Sequence, residues 1–413
     1  MEQRKGFTKD FWMVVIGQII SLFGNAVVRF ALPIHLLEVT GSAALLGIVS
    51  GCAFIPLAVM APVGGMIADR VNKRNIMVCL DFFTAGLTAM FLLLYGKVNL
   101  AGLILIMLFL LYGIGGAYQP SVQASIPVLV EGEKVMSANA VINMVSSLSG
   151  LLGPALGGIA YSMWGIKPIL TVAAGCFCAS AILEIFIHIP FVKRKRETSV
   201  WRETGHDLKS SLSYIVRDKK VVGKLTVCCA AVNLIVSSAI IIGLPVIVMQ
   251  VLHFKNSDSS AMYGFMQALL AVGGLAGGVG AGVFSKKISV KKSWKLLLYA
   301  GLLLIPMGIA LLADCSPGAA YVIFALAGML IMAMSTLYTI QIMSYIQVTV
   351  PVEMLGKVIS WIIAVSTCAQ PLGQVIYGFL FENMKGNMYL IFFAAAVAAV
   401  FIAWYNKKIA EQL

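Results

Sequence analysis

Long apolar runs separated by short polar segments alternate along the whole chain. Twelve such runs cover residues of about 11–37, 43–68, 76–96, 100–129, 137–163, 168–192, 221–252, 261–284, 295–313, 319–349, 356–381 and 387–405. An α-helix needs roughly 20 apolar residues to cross a bilayer, and most of the runs reach that length. The pattern therefore predicts an all-α polytopic membrane protein with twelve transmembrane helices.

The composition supports this prediction and excludes ordinary soluble classes. The chain is 60% hydrophobic and only 11% charged, against about 25% charged residues in soluble domains, and its mean hydropathy is +0.95. It contains no GxxxxGK[ST] phosphate-binding loop, no Ser/His/Asp arrangement and no metal-ligand cluster. We expect no catalytic residues, cofactor or metal. The eight cysteines lie in or beside apolar runs without CxxC spacing, which favours packing thiols.

The segment "MEQRKGFTKD" precedes the first apolar run. That run is too long for the core of a signal peptide, and no small-residue cleavage site follows it. We therefore expect the first helix to be retained.

The distribution of positive charge predicts the topology. With twelve helices, the segments on the side of the N-terminus carry 25 of the 30 lysines and arginines, and the other side carries four, namely Lys97, Lys167, Lys255 and Lys385. By the positive-inside rule we expect both termini in the cytoplasm, and we expect the protein to lie in the cell membrane, plasma or inner. Topology and anionic lipid explain the net charge of +13 better than nucleic-acid binding does.

The longest polar segment, residues 193–220, divides the chain into residues 1–192 and 221–413. Within it Trp201, Leu208, Leu212 and Ile215 recur at near-helical spacing. This spacing fits an amphipathic helix on the membrane surface, and a solvated linker fits equally well. The halves also resemble each other, since "KVMS" at 134–137 returns as "KVIS" at 357–360. Two pseudo-symmetric six-helix bundles are the architecture of a rocker-type secondary transporter.

The polar segment "GGMIADRVNKRN" connects the second and third predicted helices. It resembles the loop signature of the major facilitator superfamily at Gly65, Asp69, Arg70, Lys73 and Arg74. Asn72 stands where that family usually has glycine, and asparagine tolerates a left-handed conformation well. The resemblance implies a gating loop, whereas a simple positive-inside loop is the alternative.

The fifth predicted helix contains "GLLGPALGG". Its residues Gly150, Gly153, Pro154, Gly157 and Gly158 resemble the glycine-proline motif of the superfamily's exporters. Small residues three and four apart allow close backbone contact, and proline bends the helix. The motif favours export over uptake.

Together with "GQIISLFGN", "TGSAALLG" and "LGKVIS", these motifs resemble the macrolide-efflux-like branch of the superfamily over nearly the whole chain. The resemblance implies the major facilitator fold. It also implies export of a small-molecule substrate, a macrolide-like or other amphipathic drug, by alternating access in exchange for protons. We expect a monomer whose partners are the substrate, protons and membrane lipids, without nucleic acid.

Proton coupling needs a titratable group inside the membrane. Glu184 is the first candidate, because it lies about nine residues from the predicted end of helix 6 and His188 follows four residues later on the same face. The pair can instead be purely structural. Asp81, near the start of helix 3, is a further candidate for proton coupling, and support of the loop at Asp69 is the role we favour for it.

Arg29 is the only charged residue between Phe11 and Leu37, where burial without a partner costs at least about 2.5 kcal/mol. The resemblance implies that helices 1, 4, 7 and 10 line a central cavity. The polar candidates on these helices are Asn25, Arg29, Gln119, Asn233, Gln341 and Gln347. Alternatively, Arg29 snorkels to the membrane surface. At Leu111, antiporters of the superfamily often carry an arginine, and Arg29 can supply the missing charge.

A cavity arginine keeps a second substrate class open, namely an anionic metabolite, siderophore or lipid. A membrane sensor that retains the fold without transport is a third reading, although no appended soluble domain supports it.

Overall fold

The computed structural model describes residues 7–130, 135–189, 220–254, 258–283 and 290–412. At 61–62, 65–66, 68–70, 136, 282–283, 352–357 and 360 it describes the backbone only. The linker at 193–219 and the side chains of Gly65, Asp69 and Arg70 lie outside this description.

The described residues form twelve helices long and apolar enough to cross a membrane, and they contain no β-strand. This confirms the predicted fold class. The helices are α1 (Lys9–Thr40), α2 (Ala43–Arg70), α3 (Lys73–Leu94), α4 (Leu100–Leu129), α5 (Val135–Trp164), α6 (Ile166–Ile185), α7 (Lys220–Val251), α8 (Ser259–Val283), α9 (Val290–Leu312), α10 (Pro317–Thr349), α11 (Val352–Asn383) and α12 (Met388–Ala410).

Helix α6 is shorter than its apolar run predicts. It ends at Ile185 and Phe186 forms its C-cap, whereas the run extends to about residue 192. The backbone N–H groups of Phe186 and Ile187 bond three residues back, to the carbonyls of Leu183 and Glu184, so the last turn tightens and the α-helix stops. Apolar composition alone therefore overestimates the length of α6 by almost two turns.

Two very short connections depend on glycine. Gly165 is the single residue between α5 and α6 and has φ +70°, and Gly41 after α1 has φ +63°. Side-chain-bearing residues rarely adopt this left-handed conformation. These glycines let consecutive helices reverse direction within one or two residues.

Helix α7 is not uniformly α-helical. Two π-helical segments, Asn233–Ser237 and Ile247–Val251, interrupt it, and Pro245 lies just before the second. Each π segment widens the helix by one residue per turn and is a common feature of functional sites. Hydrophobic periodicity does not reveal such segments.

The described residues divide into two compact units. One comprises Met1–Thr40 and Cys52–Glu197, and the other comprises Gly41–Gly51 and Thr198–Leu413. We call them the N-terminal and C-terminal units. The first turns of α2 thus belong to the C-terminal unit, although the midpoint of the sequence places them in the first half.

In the N-terminal unit α1 packs against α4, α5 and α6, and α3 packs against α4 and α6. Close contact with α5 depends on its glycines, because a Cβ atom at Gly153 would lie 2.4 Å from Cβ of Ala26. A Cβ atom at Gly157 would lie 3.1 Å from the ring of Phe30. These positions hold α1 against α5 with no room for a side chain.

In the C-terminal unit the start of α2 packs against α11. A Cβ atom at Gly47 would lie 2.5 Å from the carbonyl oxygen of Gln374. Glu382 Oε2 accepts hydrogen bonds from the backbone N–H groups of Ala43, at 2.7 Å, and Ala44, at 3.3 Å. A carboxylate thus satisfies the free donors at the N-terminus of α2 and complements its dipole.

Candidate functional site

A cavity of about 270 Å³, with an apolar wall that carries several polar side chains, lies inside the N-terminal unit. Its wall comes from α1, α2, α3, α4 and α5. The polar side chains that line it are Ser21, Asn25, Arg29, Asp81, Thr84, Tyr118, Gln119, Ser146 and Ser149. The cavity collects both a cationic and an acidic side chain from helices that are otherwise almost wholly apolar.

Arg29 lies against α4 within this cavity. Its Nη2 donates a hydrogen bond of 2.9 Å to the backbone carbonyl of Leu111, and its guanidinium carbon lies 4.1 Å from the ring centre of Tyr112. A charge-assisted hydrogen bond and a cation–π contact both stabilise a guanidinium in an apolar setting. The structure thus places Arg29 inside the unit, and not in the alternative arrangement that reaches the membrane surface.

Gly115 makes this position of Arg29 possible. A Cβ atom there would lie only 2.6 Å from Nη2 of Arg29. Gly115 is four residues after Leu111, and any side chain at that position would cover the carbonyl that Arg29 reaches. The glycine therefore opens the surface of α4 to the guanidinium.

Asp81 contributes the acid that lines the cavity. It is 2% exposed, and its Oδ1 accepts a 2.9 Å hydrogen bond from the hydroxyl of Ser21 on α1. Its Oδ2 is buried and has no hydrogen-bond partner among the described residues. Asp81 thus links α3 to α1 beside the cavity, a role that the sequence analysis did not give it.

Glu184 is fully buried behind this wall. Its Oε1 accepts a 2.7 Å hydrogen bond from the hydroxyl of Tyr118, which itself lines the cavity. Its Oε2 has no partner among the described residues, and the Glu184 and Asp81 carboxyl groups interact electrostatically. The two acids form one group between α1, α3, α4 and α6, which we call the carboxyl pair.

The predicted pairing of Glu184 with His188 is wrong. Because α6 ends at Ile185, Glu184 lies at the end of the helix and His188 lies beyond it. His188 is exposed, and its backbone N–H donates a 3.0 Å hydrogen bond to Asp10 Oδ1. Four-residue spacing gives a shared face only while the helix continues.

The described part of the loop between α2 and α3 forms a helix cap. Asn72 has φ −59°, and its side chain accepts a 3.0 Å hydrogen bond from the backbone N–H of Arg74. Its conformation is ordinary for an N-cap, so Asn72 does not use the left-handed conformation that asparagine tolerates. Arg74 is half-buried, and its Nη1 donates a 3.4 Å hydrogen bond to the carbonyl of Ile185. Lys73 is the first residue of α3.

The helix 5 motif lies partly at the cavity. Gly150 lines it, and a Cβ atom there would meet nothing within 4 Å. Gly153 and Gly157 face α1 instead, Gly158 is buried, and Pro154 lies inside the helix.

The six polar cavity candidates are divided between the units. Asn25, Arg29 and Gln119 line the N-terminal cavity. In the C-terminal unit the Asn233 side chain donates a 3.2 Å hydrogen bond to the carbonyl of Ser366. Gln341 is buried with an unpartnered oxygen, and Gln347 is exposed.

Sequence reasoning missed several residues that build the site. Ser21 and Tyr118 bond to the acids, and Tyr112 and Gly115 hold Arg29. The only sequence signal is that Tyr112, Gly115 and Tyr118 recur every three residues on α4, a helix already assigned to the cavity. Nothing in the sequence identifies their partners.

The sequence matches the profile of the Major Facilitator Superfamily over residues 14–374. Among curated proteins it is 24% identical to Macrolide efflux protein A of Streptococcus pyogenes over 408 residues, covering 97% of this chain and 96% of that protein. It is also 26% identical over 314 residues to "Putative multidrug resistance protein MdtD" of Escherichia coli, covering 72% of this chain and 63% of that protein.

Solved structures share the fold. A bacterial homologue of the human lysosomal transporter Spinster, in an inward-facing and unoccupied conformation, superposes with a TM-score of 0.73. Its sequence identity is 15%, and the superposition covers 98% of each chain. Because the sequence identity is only 15%, this similarity shows a shared fold alone.

Proposed function

The chain belongs to the Major Facilitator Superfamily, and on that premise we propose that it is a secondary exporter of amphipathic small molecules, macrolide-like or other drugs, by proton antiport. The chain and Macrolide efflux protein A match over almost their whole lengths. The partial match to a protein named for multidrug resistance supports the same substrate class. The exporter works by alternating access between its two halves.

The carboxyl pair is the observation that carries this proposal. Asp81 lines the cavity, whereas Glu184 lies behind it and bonds to Tyr118 in the cavity wall. Two buried carboxyls repel each other when both are ionised, so the free energy of the pair depends on how many protons it holds. A cationic group that enters the cavity interacts with the same charge as the proton does. Competition between proton and substrate for one site is the requirement of antiport.

Orientation and assembly complete the proposal. The protein lies in the cell membrane with both termini in the cytoplasm, as the 25 lysines and arginines on that side predict. It works as a monomer in contact with membrane lipids. The loop between α2 and α3 acts as a gate through Gly65, Asp69, Arg70, Lys73 and Arg74, and the glycine-proline motif of α5 supports the exporting direction.

Arg29 favours a second candidate substrate class. Among the described residues no carboxylate lies within salt-bridge distance of its guanidinium, and its Nε is buried without an acceptor. An anionic metabolite, siderophore or lipid would supply the missing negative charge. The substrate panel in the test therefore contains anions as well as cationic drugs.

The test measures accumulation of this panel in cells with and without the protein, and with and without a protonophore. We expect lower accumulation of amphipathic cations when the protein is present, and restored accumulation when the proton gradient is collapsed. Glu184→Gln and Asp81→Asn remove the titratable groups, so each variant is expected to lose gradient-driven export. Glu411→Gln is the matched control, because Glu411 is exposed near the C-terminus.

Each outcome decides one part of the proposal. Unchanged accumulation of every compound contradicts export and leaves the sensor reading. Export that survives the protonophore contradicts proton antiport. Export of anions alone selects the second candidate.

A further inference from the structure

The cavity of the N-terminal unit carries opposite charges at two separate places. Ser21, which bonds to Asp81, and Arg29 lie eight residues apart on α1. At 1.5 Å per residue these positions are about 12 Å apart along the helix. Both Asp81 and Arg29 line the same cavity, so a single ligand inside it lies near both charges.

The two charges do not neutralise each other directly. No ion pair joins Asp81 to Arg29 among the described residues. Asp81 is 2% exposed, and its Oδ2 lacks a donor, whereas the buried Nε of Arg29 lacks an acceptor. A buried charged group left without a partner is costly, and a ligand with complementary charges offsets that cost.

Asn25 adds a polar group between the two charges. It lies midway between Ser21 and Arg29 on α1, it lines the cavity, and its Oδ1 is buried without a partner. The cavity therefore offers, in order along α1, a carboxylate, an amide and a guanidinium. Its volume of about 270 Å³ is near the lower end of typical ligand pockets and suits a small ligand or the polar part of a larger one.

We propose that this cavity binds a zwitterionic group, with its cationic end on Asp81 and its anionic end on the guanidinium of Arg29. The inference rests on the proposed transport function and specifies the charge of the substrate. A ligand with one charge satisfies one end of the cavity and leaves the other unpaired. The cationic end meets the carboxyl pair, whereas the anionic end confers selectivity without competing with the proton.

The test compares three probes built on one straight carbon chain, 8-aminooctanoate, octylamine and octanoate. The full chain is purified into lipid nanodiscs, and its unfolding temperature is measured against probe concentration, because a ligand stabilises the state to which it binds. We expect 8-aminooctanoate to bind at least about tenfold more tightly than either single-charge analogue, the factor that one hydrogen bond to a charged group supplies. Equal binding of the three probes, or no binding of 8-aminooctanoate, overturns the proposal.

Two variants assign the charges to the two ends. Arg29→Gln is expected to lower the affinity for 8-aminooctanoate to that for octylamine while leaving octylamine binding unchanged. Asp81→Asn is expected to lower the affinity for 8-aminooctanoate to the affinity for octanoate. Arg29→Lys keeps the charge and is expected to retain a preference for the zwitterion. Gly175→Ala is the matched control, because Gly175 is exposed on α6, lies outside the cavity wall and has no neighbour within 4 Å of an added Cβ atom.

The outcomes separate this inference from the proposed function. Proton-dependent drug export without any preference for the zwitterion contradicts only the inference. Selective binding of the zwitterion without proton-dependent export contradicts only the antiport proposal. If a variant fails to fold, the three-probe comparison in the unaltered chain still decides the question.

Discussion

Arg29 keeps its position through contacts that all come from α4. The carbonyl of Leu111 accepts its hydrogen bond, the ring of Tyr112 lies beneath its guanidinium, and Gly115 leaves room for it. The Leu111 side chain carries no charge, but its backbone carbonyl accepts a hydrogen bond from the charged guanidinium of Arg29. A guanidinium from α1 thus lies at the backbone of Leu111 on α4.

Gly115→Ala tests this arrangement at the scale of one residue. The added Cβ atom would lie 2.6 Å from Nη2 of Arg29, and the flexible arginine side chain can move away more easily than the backbone can. We expect loss of the contact with Leu111 and a lower unfolding temperature, since a hydrogen bond to a charged group contributes about 1.5–3 kcal/mol. We also expect weaker binding of 8-aminooctanoate, because the guanidinium is no longer held in the cavity wall.

Gly150→Ala is the control for that prediction. Both glycines line the same cavity, but a Cβ atom at Gly150 meets nothing within 4 Å. Equal effects of the two substitutions would show that cavity volume, and not the position of Arg29, determines binding.

At the scale of the element, glycines in α5 determine how closely α1 approaches. At Gly153 a Cβ atom would lie 2.4 Å from Cβ of Ala26, and neither atom can rotate away. Within the glycine-proline motif, Gly150 lines the cavity and Gly153 packs against α1. The same segment of α5 therefore forms part of the cavity wall and part of the contact with α1. The same α1 that packs on α5 also bonds to Asp81 on α3 through Ser21.

Gly153→Ala is expected to force α1 and α5 apart. Overpacking of this kind costs about 1–3 kcal/mol, so we predict a lower unfolding temperature in detergent. The second substitution Ala26→Gly removes the opposing Cβ atom and is expected to recover much of the loss.

Gly175→Ala on α6 is the matched control, because Gly175 is exposed and a Cβ atom there has no neighbour within 4 Å. A loss of stability in this control equal to that of Gly153→Ala, or a failure of Ala26→Gly to rescue, would contradict the packing explanation.

At the scale of the whole molecule, the charge asymmetry predicts how the protein is inserted. The side predicted to be cytoplasmic carries 25 lysines and arginines and the other side carries four, and the positive-inside rule assigns orientation from such a difference. The two compact units each have their own interior, and the cavity described above belongs to the N-terminal unit alone.

Reporter fusions test the predicted topology. We expect fluorescence from a green fluorescent protein fused after Asn75, which follows the basic loop, and from one fused at the C-terminus. A fusion after Asn99, in the segment that carries Lys97, is expected to be dark, since the reporter matures in the cytoplasm only. Alkaline phosphatase at the same points is the control and should give the opposite pattern. Reversed patterns would contradict the positive-inside assignment.

The sequence by itself determined the twelve helices, because apolar length is a property of each segment and needs no partner. It also determined that Asn25 and Arg29 share a face of α1, since helical periodicity fixes that relation within one element. Family membership followed from motifs that are local in the chain. The end of α6 was misjudged because apolar composition gives the length of a run and not the residue at which the helical hydrogen bonds stop.

Only the tertiary structure decided which residues meet across helices. Asp81, assigned from sequence to the loop at Asp69, bonds to Ser21 and joins Glu184, which bonds to Tyr118 and not to His188. The contact between Arg29 and the Leu111 carbonyl involves a backbone atom, which every residue has and no sequence pattern marks. Partners 60 to 82 residues apart are selected by packing, because the free energy of a buried polar group depends on its neighbours in space.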